Sequence, residues 1–261
     1  EHMTGSILCI RAQEIATVTL SNPGKRNAVD HAMWQEIAAI FGNLSADAGV
    51  RCVVLRGEGT QAFAAGGDID EFLSRRDTLE HAMAYHAQAG AALQAVFDCR
   101  QPTIALIQGA CIGGGLELAA QCDLRICAAS SRFGAPVNKL GFSMYPEEML
   151  GLLRLAGAPT VLEILLEGRI LDATEALAKG LVTRVVADTE VVAEAYASAR
   201  RICEGAPLVA GWHKQWVRRL QHDVPLSEQE LRASFAFLDS EDYREGLAAF
   251  LERREPKFRG R

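Results

Sequence analysis

The sequence predicts an α/β fold with parallel strand pairing, followed by a helical C-terminal part. Three observations predict it. Short apolar runs that read as strands alternate with helix-period segments up to about residue 190. Two of those runs lead into glycine-containing loops, at 63–69 and 109–117. Beyond about residue 190 only helical patterns remain. A chain of 261 residues has room for one large domain, or one domain with an appendage. It also buries enough surface on folding to need no disulfide or metal staple.

The elements follow in order. EIATVTL (14–20) alternates as a strand does and stops at the turn Asn22-Pro23-Gly24. Asp30 is placed to cap a helix whose residues Met33, Trp34, Ile37, Ile40, Phe41 and Leu44 keep helical spacing. RCVVLRG (51–57) reads as a buried strand, and EGTQAFAAGGDIDEF (58–72) as the loop after it. A helix is predicted over 80–98, with Met83, Ala87, Leu93, Val96 and Phe97 mostly on one side. Thr103–Ile107 is a strand, Gly113–Gly115 a turn, Leu116–Gln121 the start of a helix, and Leu124–Cys127 another strand. Helices are then expected over 190–203, 207–221, 227–238 and 240–254, two of them opened by Pro207 and Ser227. The expected division is an α/β core over 1–195 and a helical region over 196–261. No low-complexity linker separates them, so close packing is expected.

Composition narrows the function classes. Hydrophobic residues make up 49% and charged residues 23%, as in an ordinary soluble protein. With 27 Lys plus Arg against 33 Asp plus Glu, the net charge is −6. Such a chain is a poor general binder of nucleic acid or anionic membrane. The basic run Arg253, Arg254, Lys257, Arg259, Arg261 reads as a solvated helix end. The seven cysteines form no C-x-x-C pair and lie mostly in apolar runs, where buried thiols are expected. The segment 102–122 is long enough for a membrane span. Its Glu117 and its three consecutive glycines are costly at that depth, so it reads as a buried strand, turn and helix. Glu1-His2-Met3 reads as a cloning remnant, and no signal-peptide pattern follows it. A soluble cytoplasmic protein without membrane or nucleic-acid partners is expected.

Chemistry centres on the two glycine loops. A helix that starts at a glycine run aims unpaired N–H groups, and its positive dipole end, at whatever lies there. Two such N–H groups facing one carbonyl oxygen form an oxyanion hole. Glu117 lies one helical turn after Gly114, beside that hole, as a candidate acid or base. Glycine runs at strand-to-helix turns also serve as packing devices, and pattern alone leaves both readings open. Neither G-x-S-x-G, a P-loop nor G-x-G-x-x-G is present. The histidines show no metal spacing; His81 and His86, five apart, are expected in surface or packing roles.

FAAGGDI (63–69) and GACIGGGLELAAQCD (109–123) resemble the two signature segments of the enoyl-CoA hydratase/isomerase, or crotonase, family. NPGKRNA (22–28) resembles its first coenzyme A loop, and EGLAAFLERR (245–254) its C-terminal helix. The resemblance implies a crotonase-like ββα spiral core with a helical C-terminal trimerisation region. It makes Gly67 and Gly114 the oxyanion N–H donors and Glu117 the first catalytic glutamate. Ala65, Asp68 and Ile69 match the adenine pocket. Lys25, Arg26 and Ala28 match the coenzyme A loop, and Phe250 and Arg253 positions that complete the site of a neighbouring subunit. Coenzyme A is then part of the substrate, with no separate cofactor and no metal.

The chain departs from the pattern at the second glutamate, where it has Val137. It also replaces the usual Pro-Gly-rich turn with LGFSMYPEE (140–148). Aligned without gaps, Tyr145 takes the place of the isomerase acid and reads as a pocket wall; a small shift puts Pro146-Glu147 there instead. Glu147 and Glu148 read as first-turn helix residues favoured by the dipole. The resemblance implies hydration of a 2-enoyl-CoA, with double-bond isomerisation or mere acyl-CoA binding as alternatives. It also implies a trimer or a dimer of trimers.

Overall fold

The computed structural model describes residues 4–261, so the Glu1-His2-Met3 reading lies outside the described residues. The chain begins with β1 (Ser6–Ala12), β2 (Ile15–Ser21), α1 (His31–Ala46), β3 (Cys52–Gly57), β4 (Ala62–Ala65), α2 (Phe72–Arg75) and α3 (Leu79–Phe97). It continues through β5 (Thr103–Ile107), β6 (Ala110–Ile112), α4 (Gly114–Gln121), β7 (Leu124–Ala128), β8 (Arg132–Gly134) and α5 (Pro146–Glu167). The remainder is β9 (Leu171–Asp172), α6 (Ala173–Ala178), β10 (Arg184–Val186), α7 (Val191–Glu204), α8 (Pro207–Leu220), α9 (Glu228–Ala233) and α10 (Glu241–Glu252).

Two sheets form, with strand orders β1-β2-β3-β5-β7-β10 and β4-β6-β8-β9. In the first, β1 runs antiparallel to β2 and all other pairs are parallel, as expected from alternating strands and helices. Each turn of the chain lays one strand in the large sheet, a short one in the small sheet, then a helix: β3-β4-α2-α3, β5-β6-α4, β7-β8-α5. This is the spiral the resemblance implied. The reading of 58–72 as a plain loop missed β4, because four residues, Ala62–Ala65, are too few to show a period. β5 is buried along its whole length, which is why its sequence is a continuous run rather than an alternation.

Helix α1 forms as expected. The Asp30 carboxylate accepts from the Met33 N–H at 2.9 Å, and Met33, Trp34, Ile37, Phe41 and Leu44 are buried. Helix α3 differs from expectation. Its buried stripe is Tyr85, Ala89, Ala92, Leu93 and Val96, while Met83 is 63% exposed. The rotation aims Tyr85 and His86 inward, and it matters below. α5 breaks at Gly157 (φ 75°, ψ 168°), so no continuous helix spans the segment, although its composition is apolar enough for a bilayer. Six cysteines are buried and Cys9 is exposed, all as free thiols.

The expected boundary at 195/196 falls inside α7. Val191, Ala195, Ala199 and Cys203 of that helix pack on Cys52, Val54, Ile104 and Leu106 of the large sheet. α7 therefore belongs to the core, and the helical region starts after Glu204. That region is fastened by charge: Lys214 Nζ donates to the carbonyls of Cys99 and Gln101 at 2.6 and 2.7 Å, and Arg218 pairs with Asp123 at 3.0 Å.

Candidate active site

The two glycine loops meet. Val29 N–H donates to Gly66 O at 2.8 Å, and Asp68 N–H to Val29 O at 3.1 Å, so this parallel bridge leaves the Gly67 N–H out of the ladder. Gly113 N–H donates to Gly134 O at 2.8 Å, and Glu117 N–H closes the first turn of α4 onto Gly113 O at 2.9 Å. Gly114, the first residue of α4, therefore has no intrahelical acceptor. Gly113 adopts φ 51°, ψ −119°, a conformation open essentially to glycine. A Cβ on Gly114 would stand 3.6 Å from the Gly66 carbonyl carbon, so the two loops touch. At Gly115 a Cβ would fall 2.3 Å from Ala64 O, which makes that glycine a packing requirement. A free helix N-terminal N–H at Gly114 and a packing requirement at Gly115 thus occur at adjacent residues.

A cavity of about 160 Å³ opens at this junction. Gly66, Gly67, Gly113, Gly114, Glu117 and Val137 line it, together with Trp34, Tyr85, Phe72 and Phe142. Trp34 Nε1 donates to Tyr85 Oη at 3.0 Å, which fixes that wall. Glu117 is 5% exposed. Burial pushes its carboxyl well above the ordinary range; the nearby Glu148 charge adds to this and the Arg76 guanidinium opposes it. Arg76 lies 3.9 Å over the Phe72 ring and 4.2 Å over the Tyr85 ring. Its buried Nε has no hydrogen-bond partner among the described residues.

The structure corrects the expectation of Glu148 as an ordinary first-turn residue. It is 6% exposed and lines the same cavity as Glu117, while its neighbour Glu147 is exposed. His86, expected in a surface or packing role, has Nδ1 2.7 Å from Glu148 Oε1. Tyr145, expected as a pocket wall, stacks on the His86 ring at 4.6 Å instead of lining the cavity.

The family of this chain follows from its sequence as a whole. The family model for enoyl-CoA hydratase/isomerase matches residues 11–261. The chain belongs to that family. A relative named probable enoyl-CoA hydratase, from Mycobacterium bovis, is 35% identical over 97% of each chain. A carnitinyl-CoA dehydratase from Citrobacter koseri is 33% identical over 99% of this chain and all of its own. Among solved structures, an enoyl-CoA hydratase/carnithine racemase from Magnetospirillum magneticum superimposes with TM-score 0.96 at 48% identity, covering 98% of this chain and 97% of the other. The spiral core is thus the fold of enoyl-CoA hydratase/isomerase family structures.

The other residues read from the family pattern sort into two groups. Ala65 and Ile69 line the cavity mouth, and Ala65 N–H donates to Arg26 O at 3.1 Å, which holds the 25–28 loop against it. Lys25 Nζ lies 2.6 Å from Asp68 and 2.8 Å from Asp70, and these bonds raise its pKa. Ala28, the last residue of this loop, is buried. Phe250 and Arg253 do not line the cavity of their own chain. Phe250 is 81% exposed on α10, and Arg253 ends that helix in a left-handed conformation (φ 55°). Arg76, Tyr85, His86 and Glu148 escaped the sequence reading as site residues. A signal did exist for Glu148: Gly151 and Leu152 follow it at three and four residues on the buried stripe of α5, so an acid occupies a core-facing position.

Proposed function

We propose that this chain adds water across the C2–C3 double bond of a 2-enoyl-CoA thioester. The observation that carries the reading is the buried Glu117 carboxyl on a cavity that Gly67 and Gly114 also line, two glycines whose N–H groups are left out of the backbone hydrogen bonds. The thioester oxygen sits between those two N–H groups. Attack of water at C3 moves the π electrons into the thioester, and the N–H pair stabilises the resulting enolate in a site shielded from solvent. A carboxyl with a raised pKa is matched to hand a proton to C2 near neutral pH.

The cavity volume supports a short acyl group, since about 160 Å³ is below the few hundred usual for a drug-sized ligand. The pantetheine and nucleotide then lie outside, along Lys25, Arg26, Ala28, Asp68 and Ile69. No separate cofactor is needed, because the reacting electrons are those of the thioester. Assembly as a threefold oligomer is part of the proposal. Phe250 at 81% and Leu251 at 80% exposure leave an apolar face on α10 that a second subunit covers. A cytoplasmic, membrane-free setting fits the free thiols and the net charge of −6.

Crotonyl-CoA tests the reaction. Hydration lowers the enoyl-thioester absorbance and yields a product heavier by one water. An isomerase leaves the mass unchanged, and a binding protein leaves both unchanged. Either of those outcomes across a set of short enoyl-CoA esters would sink the hydratase reading. Light scattering tests the assembly, and a monomer with full activity would remove the shared-site expectation for Phe250 and Arg253.

A further inference from the structure

We propose that Glu148 is the second catalytic carboxyl of this site, supplied from the first turn of α5 in place of the acid missing at Val137, and that His86 is its positioning residue. The inference rests on the hydratase reading. Four observations carry it. Glu148 and Val137 line the same cavity as Glu117. The Glu148 side chain is 7% exposed, although Glu at a helix N-terminus is ordinarily solvated. Its one hydrogen-bond partner among the side chains of the described residues is His86, with Nδ1 2.7 Å from Oε1. His86 is held in turn by stacking on Tyr145 at 4.6 Å and by an edge contact with Tyr85 at 5.5 Å.

The chemistry divides between the two acids by surroundings. An ionised carboxylate only accepts hydrogen bonds, so a Glu148 carboxylate sets the His86 proton on Nδ1. Glu117 has no such donor from a side chain among the described residues, and its burial favours the protonated form. Two carboxylates facing one cavity repel each other, and burial favours the proton on Glu117. In the hydration step the water oxygen bonds to C3 and gives a proton to Glu148. The C2–C3 π pair passes into the thioester enolate, which collapses by taking the Glu117 proton at C2. One water has been added, and the proton on Glu148 returns to Glu117 to reset the pair. The charged and titratable groups that face Glu117 and Glu148 are Arg76 after α2, Tyr85 and His86 from α3, and Tyr145 before α5.

The test is steady-state hydration of crotonyl-CoA over a pH series, with binding of saturated butyryl-CoA as the readout of an intact site. Glu148→Gln should lower kcat about a hundredfold or more while butyryl-CoA affinity is retained. Glu148→Asp should keep part of the rate. His86→Phe, which keeps a ring against Tyr145 and removes the donor, should cause a smaller loss and move the acid limb of kcat/KM to higher pH, because the carboxylate loses its hydrogen bond. Glu147→Gln, at an exposed position, should leave kcat unchanged. Wild-type kcat in Glu148→Gln, or parallel loss of rate and butyryl-CoA affinity, would overturn the assignment and make Glu148 a packing residue. Should Glu148→Gln fail to fold, an unshifted pH profile in His86→Phe would overturn it equally. A wild-type protein that binds butyryl-CoA and leaves crotonyl-CoA untouched would instead remove the hydratase reading itself.

Discussion

Replacing Glu117 by Gln should make this protein more stable and almost inactive. Volume and shape are kept, so the cavity wall persists. Burial holds the Glu117 carboxyl well above its ordinary range, and such a group costs stability once the pH exceeds its unfolded pKa. In the folded state it keeps its proton, while the unfolded chain releases one, so stability falls as pH rises from the unfolded pKa toward the folded one. Each tenfold preference for the protonated form in the folded state is worth about 1.4 kcal/mol. A Gln at this position carries no such penalty. The gain should be present near pH 8 and vanish near pH 4. For a chain of this size each kcal/mol of that gain raises Tm by roughly 2–4 °C. Crotonyl-CoA hydration should meanwhile fall about a hundredfold or more, with butyryl-CoA binding retained. Thermal unfolding at the two pH values, at one protein concentration, measures the first effect. An equal or lower Tm near pH 8 would refute the burial argument, and an unchanged rate would refute the role of Glu117.

Other perturbations probe the neighbouring parts. Arg76→Leu removes the cation that opposes the upward shift of Glu117, so the alkaline limb of the kcat profile should move to higher pH; a downward move would reverse the sign of that interaction. Gly115→Ala puts a methyl 2.3 Å from Ala64 O and 2.9 Å from Ala64 Cβ, so it should cost about 1–3 kcal/mol by overpacking and weaken butyryl-CoA binding as the two loops part. A variant with native Tm would show that the loops are not tightly joined. Val137→Glu adds a third carboxyl to a cavity that already holds Glu117 and Glu148. It should lower Tm near pH 8 without raising hydration, and a faster variant would return the second acid to that position.

Local pattern carried much of this architecture. Asp30 and the spacing of Met33, Trp34, Ile37 and Phe41 define α1, because capping and helical period are properties of neighbours along the chain. Thr103–Ile107 and the glycine run after it read as strand, turn and helix for the same reason. The signature loops around Gly67 and Gly114, with Glu117 one turn on, carry the resemblance to the family that the whole chain matches. The short strands β4, β6 and β8 were not legible. Three or four residues hold too few side chains to display a period, and what makes them strands is the neighbour they pair with. The C-terminal boundary failed at α7 because an amphipathic helix looks the same whether its apolar face meets a sheet or another helix.

The acid at position 148 is the sharpest case. By sequence it is one of two adjacent glutamates after a proline, both suited to a helix N-terminus. One faces water, and the other shares a cavity with Glu117, 31 residues earlier, and a hydrogen bond with His86, 62 residues earlier. The family, the spiral fold and the two glycine loops follow from short-range pattern, which a sequence displays directly. Which carboxyl enters the site, which histidine meets it and how far Glu117 departs from an ordinary glutamate depend on burial and on partners distant in sequence, and packing alone brings those together.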